Sequence, residues 1–525
     1  MLKPQNYINA FIALLLILAP AIQAQDKPVI EPYEAWFVMN IGGQKAGHMH
    51  VTLKQDGDKI VNTTAMKIEI ARGAAPMTIE QSSSFIETLD HQPVKATSSM
   101  TMSTLATTQR LDFTGEKWKM TTTAVGQSNT IEMDPAENDW LTPGALSAFM
   151  LAALERGDEE ITVRTLDLST GAKPIEMTMK RGEQADIEVF GRVVPATKWT
   201  TTMSALPGIE VIQWSDDAGQ PVRQVIPMLP GMEMEMLLAD KELALADFDA
   251  PELLAASFIK PDKPIKNPRK LKRAVFDIVA DDLKKNIGDV IPNAGAQRTK
   301  WIDDNTLRIT IDLDNPVEAE DRINLWQPTD DYIASATMLN YMDKAVADLV
   351  KDAVDLDALK AASQNRSPDP FAEATWQAAG KLRDYVREHI DAKDLSVGFA
   401  SASETARTGQ GDCTEHACLL AAMLRGAGIQ SRTVTGLVYA DQFAGERGIF
   451  GFHMWTQAGL INPDGTGIWY DLDAAMPGEI SGFDATHIAL STSAMKDGDS
   501  FNDMVQLLPL MQGMEIKVIE TQWAN

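Results

Sequence analysis

Cysteine is nearly absent from this sequence: two residues in 525, Cys413 and Cys418. Five positions apart on one helix, their Cα atoms would lie roughly 8 to 9 Å apart at a rise of ~1.5 Å per residue. A disulfide tolerates about 7 Å at most. A disulfide-stapled scaffold is excluded, and Cys413 is expected to be a free thiol. Cys418, turned away from it, reads as a small buried hydrophobe. Positive charge is also scarce, with 47 Lys and Arg against 74 Asp and Glu and a net charge of -27. Affinity for nucleic acid rests on cations neutralising phosphates, so nucleic acid is excluded as the main partner. The acidity reads as a well-solvated surface.

Long hydrophobic runs are missing too, apart from residues 8 to 19. Lys3 precedes that run, while Pro20 and the small-residue stretch AIQA follow it. This is the pattern of a secretory signal over residues 1–24, too short for a membrane span, with the mature chain beginning near Gln25. A periplasmic or secreted location is expected. An uncleaved signal acting as an anchor is the alternative.

What the chain does contain changes character along its length. From Tyr33 to about Ser128, and again from Ile161 to Ala239, Thr-, Val- and Ile-rich runs alternate between turn signals such as GGQK, DGDK and DDAGQP. An antiparallel β-rich domain over 25–250 is expected. Its two runs would form halves of one large curved sheet, interrupted by a helix at TPGALSAFMLAALER, with Thr142 as cap and Pro143 in the first turn. His48 and His50 share a strand face without a third ligand nearby and read as exposed strand histidines. Residues 251–330 read as a proline-rich linker and a small β-rich intermediate domain, with a hairpin turning near Asp304 and Asn305. From Tyr332 the periodicity becomes helical, including ATMLNYMDKAVADLV, and a catalytic domain is expected over 331–525. The fold class is therefore α+β.

Within that last region, RTGQGDCTEHACLLAAMLRGAG at 407–428 runs from a glycine-broken loop into a helix. Asp412 and Glu415 have the spacing of a capping box, which makes Cys413 the first helical residue. Unpaired N–H groups and the positive end of the helix dipole favour a thiolate there. Ala417, Leu420 and Leu424 would bury one face of the helix. Downstream, FGFHMWTQAGLI and GIWYDLDAAMPG read as two strands, the first carrying His453 and the second Asp471 and Asp473 on one face. Nucleophile, base and orienting acid follow in that order.

The segment resembles the transglutaminase-like superfamily, through GDCTEHACLLAAMLRGAGIQSRTVTGLVY, HMW and WYDLDA. The resemblance spans roughly 370–482, about a fifth of the chain. It implies a papain-like core with Cys413 as nucleophile, His453 as general base and acid, and Asp473 as the orienting acid, with Asp471 in reserve. The Cys413 N–H and the Gln410 side chain are the candidate oxyanion donors. No cofactor is implied. A zinc grouping of Cys413, His416, Cys418 and His453 lacks a CxxC pair, so no metal is expected. The expected activity is attack on an amide carbonyl in a protein or peptide substrate, through a thioester. Hydrolysis is favoured slightly over protein-glutamine cross-linking. A binding or scaffold protein with a relic core is the rival, and retention of all three candidate residues argues against it. The N-terminal β region could bind a surface protein or polymer.

Overall fold

The computed structural model describes residues 32–524 apart from short internal stretches, the longest being 318–329, 393–399 and 497–512. The N-terminal apolar run lies outside the described residues. The chain divides into two compact units, one ending at residue 253 and the other beginning at residue 254, with residues 72–75 grouped with the second.

The first unit is built on one 14-stranded antiparallel sheet. Eight strands run outward from Tyr33–Ile41 to Gln127–Met133, and the remaining six fold back so that the last, Met232–Ala239, pairs with the first. The two strand-rich runs are thus halves of one sheet, as their alternation implies. In the last strand Met234 and Met236 are buried, whereas Glu235 meets Arg223 at 2.7 Å and Asn40 at 3.3 Å. The sheet curls: Phe85, Phe113 and Trp118, from the side of the sheet that ends in Gln127–Met133, share a core with Leu166 and Leu168, which follow the opposite edge strand Glu160–Thr165. The helix Pro143–Arg156 lies between those edges in sequence, capped by Thr142 and ended by Gly157 in the left-handed conformation. His48 and His50 are half-buried; His50 meets Glu34 at 2.9 Å and stacks on Trp36.

The second unit contains two four-stranded sheets and a group of helices. The expected hairpin forms, as Gln297–Asp303 and Thr306–Asp312. These strands join Leu271–Val279, whose other neighbour is the distant strand Glu515–Trp523. The region read as a linker and intermediate domain therefore shares its sheet with the end of the described chain. It also shares its core with the second sheet. Phe276 meets Phe450 edge-on at 5.6 Å, and Tyr439 meets Phe450 at 5.4 Å.

That second sheet has the order Gly467–Leu472, Glu446–Ile461, Ser431–Phe443, Ile488–Ser493. Against it packs the cysteine helix, Cys413–Gly426, with the helices Lys344–Ala353, Pro368–His389 and Ala402–Thr408 on its other sides. The expectation of one buried face is corrected here, because every residue from Thr414 to Arg425 is buried. Alanines at 417, 421 and 422 let strands and helices approach from all directions. Two strand hydroxyls bond the helix backbone, Thr456 Oγ1 to the Ala417 carbonyl at 2.9 Å and Ser431 Oγ to that of Ala421 at 2.8 Å. A second correction concerns residues 336–343, read as helical. The helix starts only at Lys344, because Asp343 caps it by accepting the Ala345 N–H.

Truncating Phe276 tests the shared core. Phe276→Ala is expected to cost about 3–5 kcal/mol, read from the denaturant midpoint. Hydrogen exchange should accelerate in strand 446–461 as well as in 271–279; acceleration confined to the small sheet would show that the cores are separate.

Candidate functional site

The local sequence at the cysteine folds as its spacing requires. Asp412 accepts the Thr414 N–H at 2.9 Å, and Glu415 returns to accept the Asp412 N–H at 2.8 Å. Cys413 is the first residue of the helix, partly exposed and unpaired by any disulfide. Glu415 also accepts the Ala400 N–H at 2.8 Å, tying the preceding segment to the helix start. Burial, with Asp412 beside it, pushes the Glu415 carboxyl up to about 8. Gly411 makes this reciprocal cap possible: its φ is +149°, and a Cβ there would stand 2.3 Å from the Glu415 Cβ.

His453 lies on the long strand Glu446–Ile461, buried, with Nε2 2.6 Å from Asp473 Oδ2. Nδ1 is the ring nitrogen that does not meet Asp473, and the Cys413 side chain favours the charged form of the ring. Burial opposes charge on this imidazole, but the Asp473 carboxylate and the Cys413 contact outweigh it and push the ring up to about 9. For Asp473, burial would raise the carboxyl, yet the imidazoles of His453 and His487 hold it well below the usual carboxylate range.

Asp473 sits just beyond its strand, in a loop made rigid from several directions. Its Oδ1 accepts the N–H groups of Ala475 and Met476 at 2.8 and 3.1 Å. From the helix Pro368–His389, the buried Arg383 donates to three carbonyls of this loop: Asp473 at 2.9 Å, Met476 at 2.7 Å and Gly478 at 3.1 Å. Gly482 gives the guanidinium room, since a Cβ there would stand 2.2 Å from Arg383 Nη2.

Asp471 reaches the same strand as Asp473 but is otherwise engaged. It accepts Trp455 Nε1 at 2.9 Å, Gln457 Nε2 at 2.8 Å and the Ala296 N–H at 3.0 Å. Burial raises its carboxyl despite these bonds. The structure therefore pairs His453 with Asp473 and engages Asp471 in tying the Trp455 edge to the small sheet. Gln410 is an exposed loop residue whose backbone bridges to Ala392. Trp455 is buried, its ring 6.3 Å from that of His453. Cys418 is fully buried, and burial pushes its thiol up.

Sequence reasoning passed over Arg383 and His487. His487 precedes the strand Ile488–Ser493 and places Nε2 3.1 Å from the same Asp473 oxygen that meets His453. Only its rarity, as one of seven histidines, marks it in the sequence. Among the described residues, His453, Asp473 and His487 form the one cluster of potential metal ligands. Two ligands each about 2.0–2.1 Å from a tetrahedral ion stand about 3.3 Å apart. The 2.6 Å contact of His453 with Asp473 is a hydrogen-bond spacing instead. Among the described residues, Cys413, His416, Cys418 and His453 do not come together as a ligand cluster.

Residues 361–474, which hold all three positions, match the model of the transglutaminase-like superfamily. The C-terminal region thus carries a domain of that superfamily type. No curated relative matches the sequence. Three solved structures are similar at low levels. A β-barrel-like protein of a domain of unknown function from Brucella abortus is 10% identical over 42% of this chain and 98% of its own, with a TM-score of 0.31. A candidate cysteine protease from Cytophaga hutchinsonii is 13% identical over 49% and 88%, with a TM-score of 0.25. A candidate protease from Parabacteroides distasonis is 10% identical over 77% and 68%, with a TM-score of 0.16. Likenesses at these scores carry no argument about activity.

The buried pair makes a signed prediction about pH. Stabilisation by a raised imidazole is full below its unfolded value of about 6.5 and is lost as pH rises through about 9. Stabilisation by a depressed carboxylate is present above its unfolded value of about 3.9 and lost as pH falls. Asp473→Asn, which leaves the buried His453 imidazole without its charge partner, is expected to cost about 3–5 kcal/mol. Urea titrations should find that deficit widest between about pH 4 and 6.5 and narrowing on both sides. A deficit constant from acid to pH 9 would count against the ion pair.

Proposed function

We propose that the C-terminal unit is a thiol enzyme acting on amide bonds, with Cys413 as nucleophile, His453 as proton carrier and Asp473 as the group that orients it. The observation that carries this reading is a buried imidazole held by a buried carboxylate at 2.6 Å through Nε2, with a partly exposed thiol at a helix start favouring the charged form of that ring. A ring raised to about 9 is protonated at neutral pH, which supports its part as the proton donor to a leaving amine. The match of residues 361–474 to a superfamily of this chemistry is the second support.

In the proposed reaction the thiolate attacks the amide carbon, and the Cys413 N–H, one of the four at a helix start without an intrahelical acceptor, faces the developing oxyanion. The C–N bond breaks as His453 gives its proton to the departing amine, leaving a thioester. His453 then takes a proton from water, whose oxygen displaces the thiol and frees a carboxylic acid. Hydrolysis is favoured because the thiol is partly open to solvent. A primary amine in place of water would make the same thioester the intermediate of protein cross-linking. Export is part of the proposal and rests on the signal-like run at residues 8–19.

Iodoacetamide alkylation of Cys413 should be fast at neutral pH and should slow sharply in His453→Ala. A rate that rises only near pH 8.5, as for an ordinary thiol, would sink the proposal. Incubation with a glutamine-containing protein and a labelled primary amine separates the two outcomes. Peptide cleavage that is abolished by Cys413→Ala, with the circular dichroism spectrum unchanged, is expected; amine incorporation without cleavage would establish cross-linking instead.

A further inference from the structure

His487 is fully buried and has no part in the chemistry just described. Its ring is fixed by packing: Phe483 stacks on it at 4.4 Å, and Trp455 meets it edge-on at 5.3 Å. Nε2 lies 3.1 Å from Asp473 Oδ2, so one carboxylate oxygen serves two imidazoles whose centroids are 5.7 Å apart. The other nitrogen faces Asp484 in a way that suits either protonation state. Neutral, Nδ1 accepts the Asp484 N–H at 3.3 Å; protonated, it donates to the Asp484 carbonyl at 3.0 Å. Neither state leaves a buried polar atom unpaired, which is the usual barrier to titration inside a core. Behind it, the Asp484 carboxylate stands 3.6 Å from Nδ1 and is paired with Arg269 at 2.7 Å. The charged groups around this ring are therefore Asp473 and Asp484 in contact, His453 across the shared oxygen, Asp471 within its field and Arg269 beyond Asp484.

We propose that His487 is a positioning residue of the thiol site: it shares the Asp473 oxygen with His453 and, through its own charge, sets how tightly His453 holds its proton. The physical reason is competition. An oxygen that accepts from two cationic rings binds each less firmly than it would bind one alone, and a positive ring near His453 disfavours a second positive charge there. The protein thereby avoids an imidazolium locked so firmly by Asp473 that it could not release its proton to a leaving amine. Because the two rings share one carboxylate, they titrate as a pair.

This inference rests on the reading of Cys413 and His453 as nucleophile and proton carrier, and the test separates the two. The probes are iodoacetamide alkylation of the full-length protein across pH and histidine-labelled NMR of the His453 imidazole. His487→Gln keeps a donor for Asp473 but cannot become charged. Its His453 midpoint is expected to rise, with proton affinity about tenfold higher or more, and the alkaline limb of alkylation should move with it. His487→Leu removes donor and charge together, and should add a slower rate below that limb. If the leucine variant does not fold, the glutamine variant decides alone. An unmoved His453 midpoint in His487→Gln overturns the proposal, whatever the alkylation rate does. Alkylation that is indifferent to His453→Ala would overturn the thiol reading instead, while the NMR midpoint still reports whether the rings are coupled.

Discussion

A carboxylate with almost no access to water is the constraint on which the rest of this site depends. Asp473 is 1% exposed, and an ion taken that far from solvent must be met by charge and donors on every side. Two imidazoles and two backbone N–H groups meet its oxygens, and Arg383 fastens the loop that carries it. Breaking any one partnership leaves the remainder holding an uncompensated charge. The geometry of His453 follows from this, since a ring bound through Nε2 to a fixed oxygen has only Nδ1 to offer the thiol.

The cysteine arrives from the opposite direction, on a helix buried along nearly its whole length. Its far end is held as firmly as its start: Arg425 is buried and donates to the carbonyls of Ala334, Ser431 and Ala494 at 2.7, 3.0 and 2.7 Å. Burial lowers this guanidinium to about 10, so the anchor stays charged at physiological pH. Helix, strand and acid loop are thus located by separate sets of buried polar contacts that meet at one imidazole.

How much of this was legible in the sequence depended on the distance over which each rule acts. The capping box of Asp412 and Glu415 spans three residues and appears as read. Local spacing also hid a second one: Ser401 and Glu404 cap the helix Ala402–Thr408 in the same way, and the S-x-x-E signal in SASETART could have revealed it. Alternation placed both aspartates toward the histidine strand but could not rank them. The family resemblance prefers Asp473, and the tertiary partners separate the two, because Trp455, Gln457 and Ala296 take Asp471 while His453 takes Asp473. Arg383 and His487 obey no sequence spacing to Cys413, His453 or Asp473 and became visible only with the fold. The separation of the small β region from its neighbour reflected a proline-rich stretch in the sequence, whereas the core formed from Phe276, Tyr439 and Phe450 joins the two sheets.

The strand Glu515–Trp523 gives this architecture a temporal order. It completes the small sheet beside Leu271–Val279, and the ion pair of Arg273 with Glu520 spans 247 positions of sequence. Closing so large a loop is slow, and contacts of this separation form after local ones. During synthesis the cysteine helix can assemble long before the sheet beneath the histidine strand is finished. The newly made chain therefore passes through a period in which the strand Glu446–Ile461 lacks the completed sheet that shares its core.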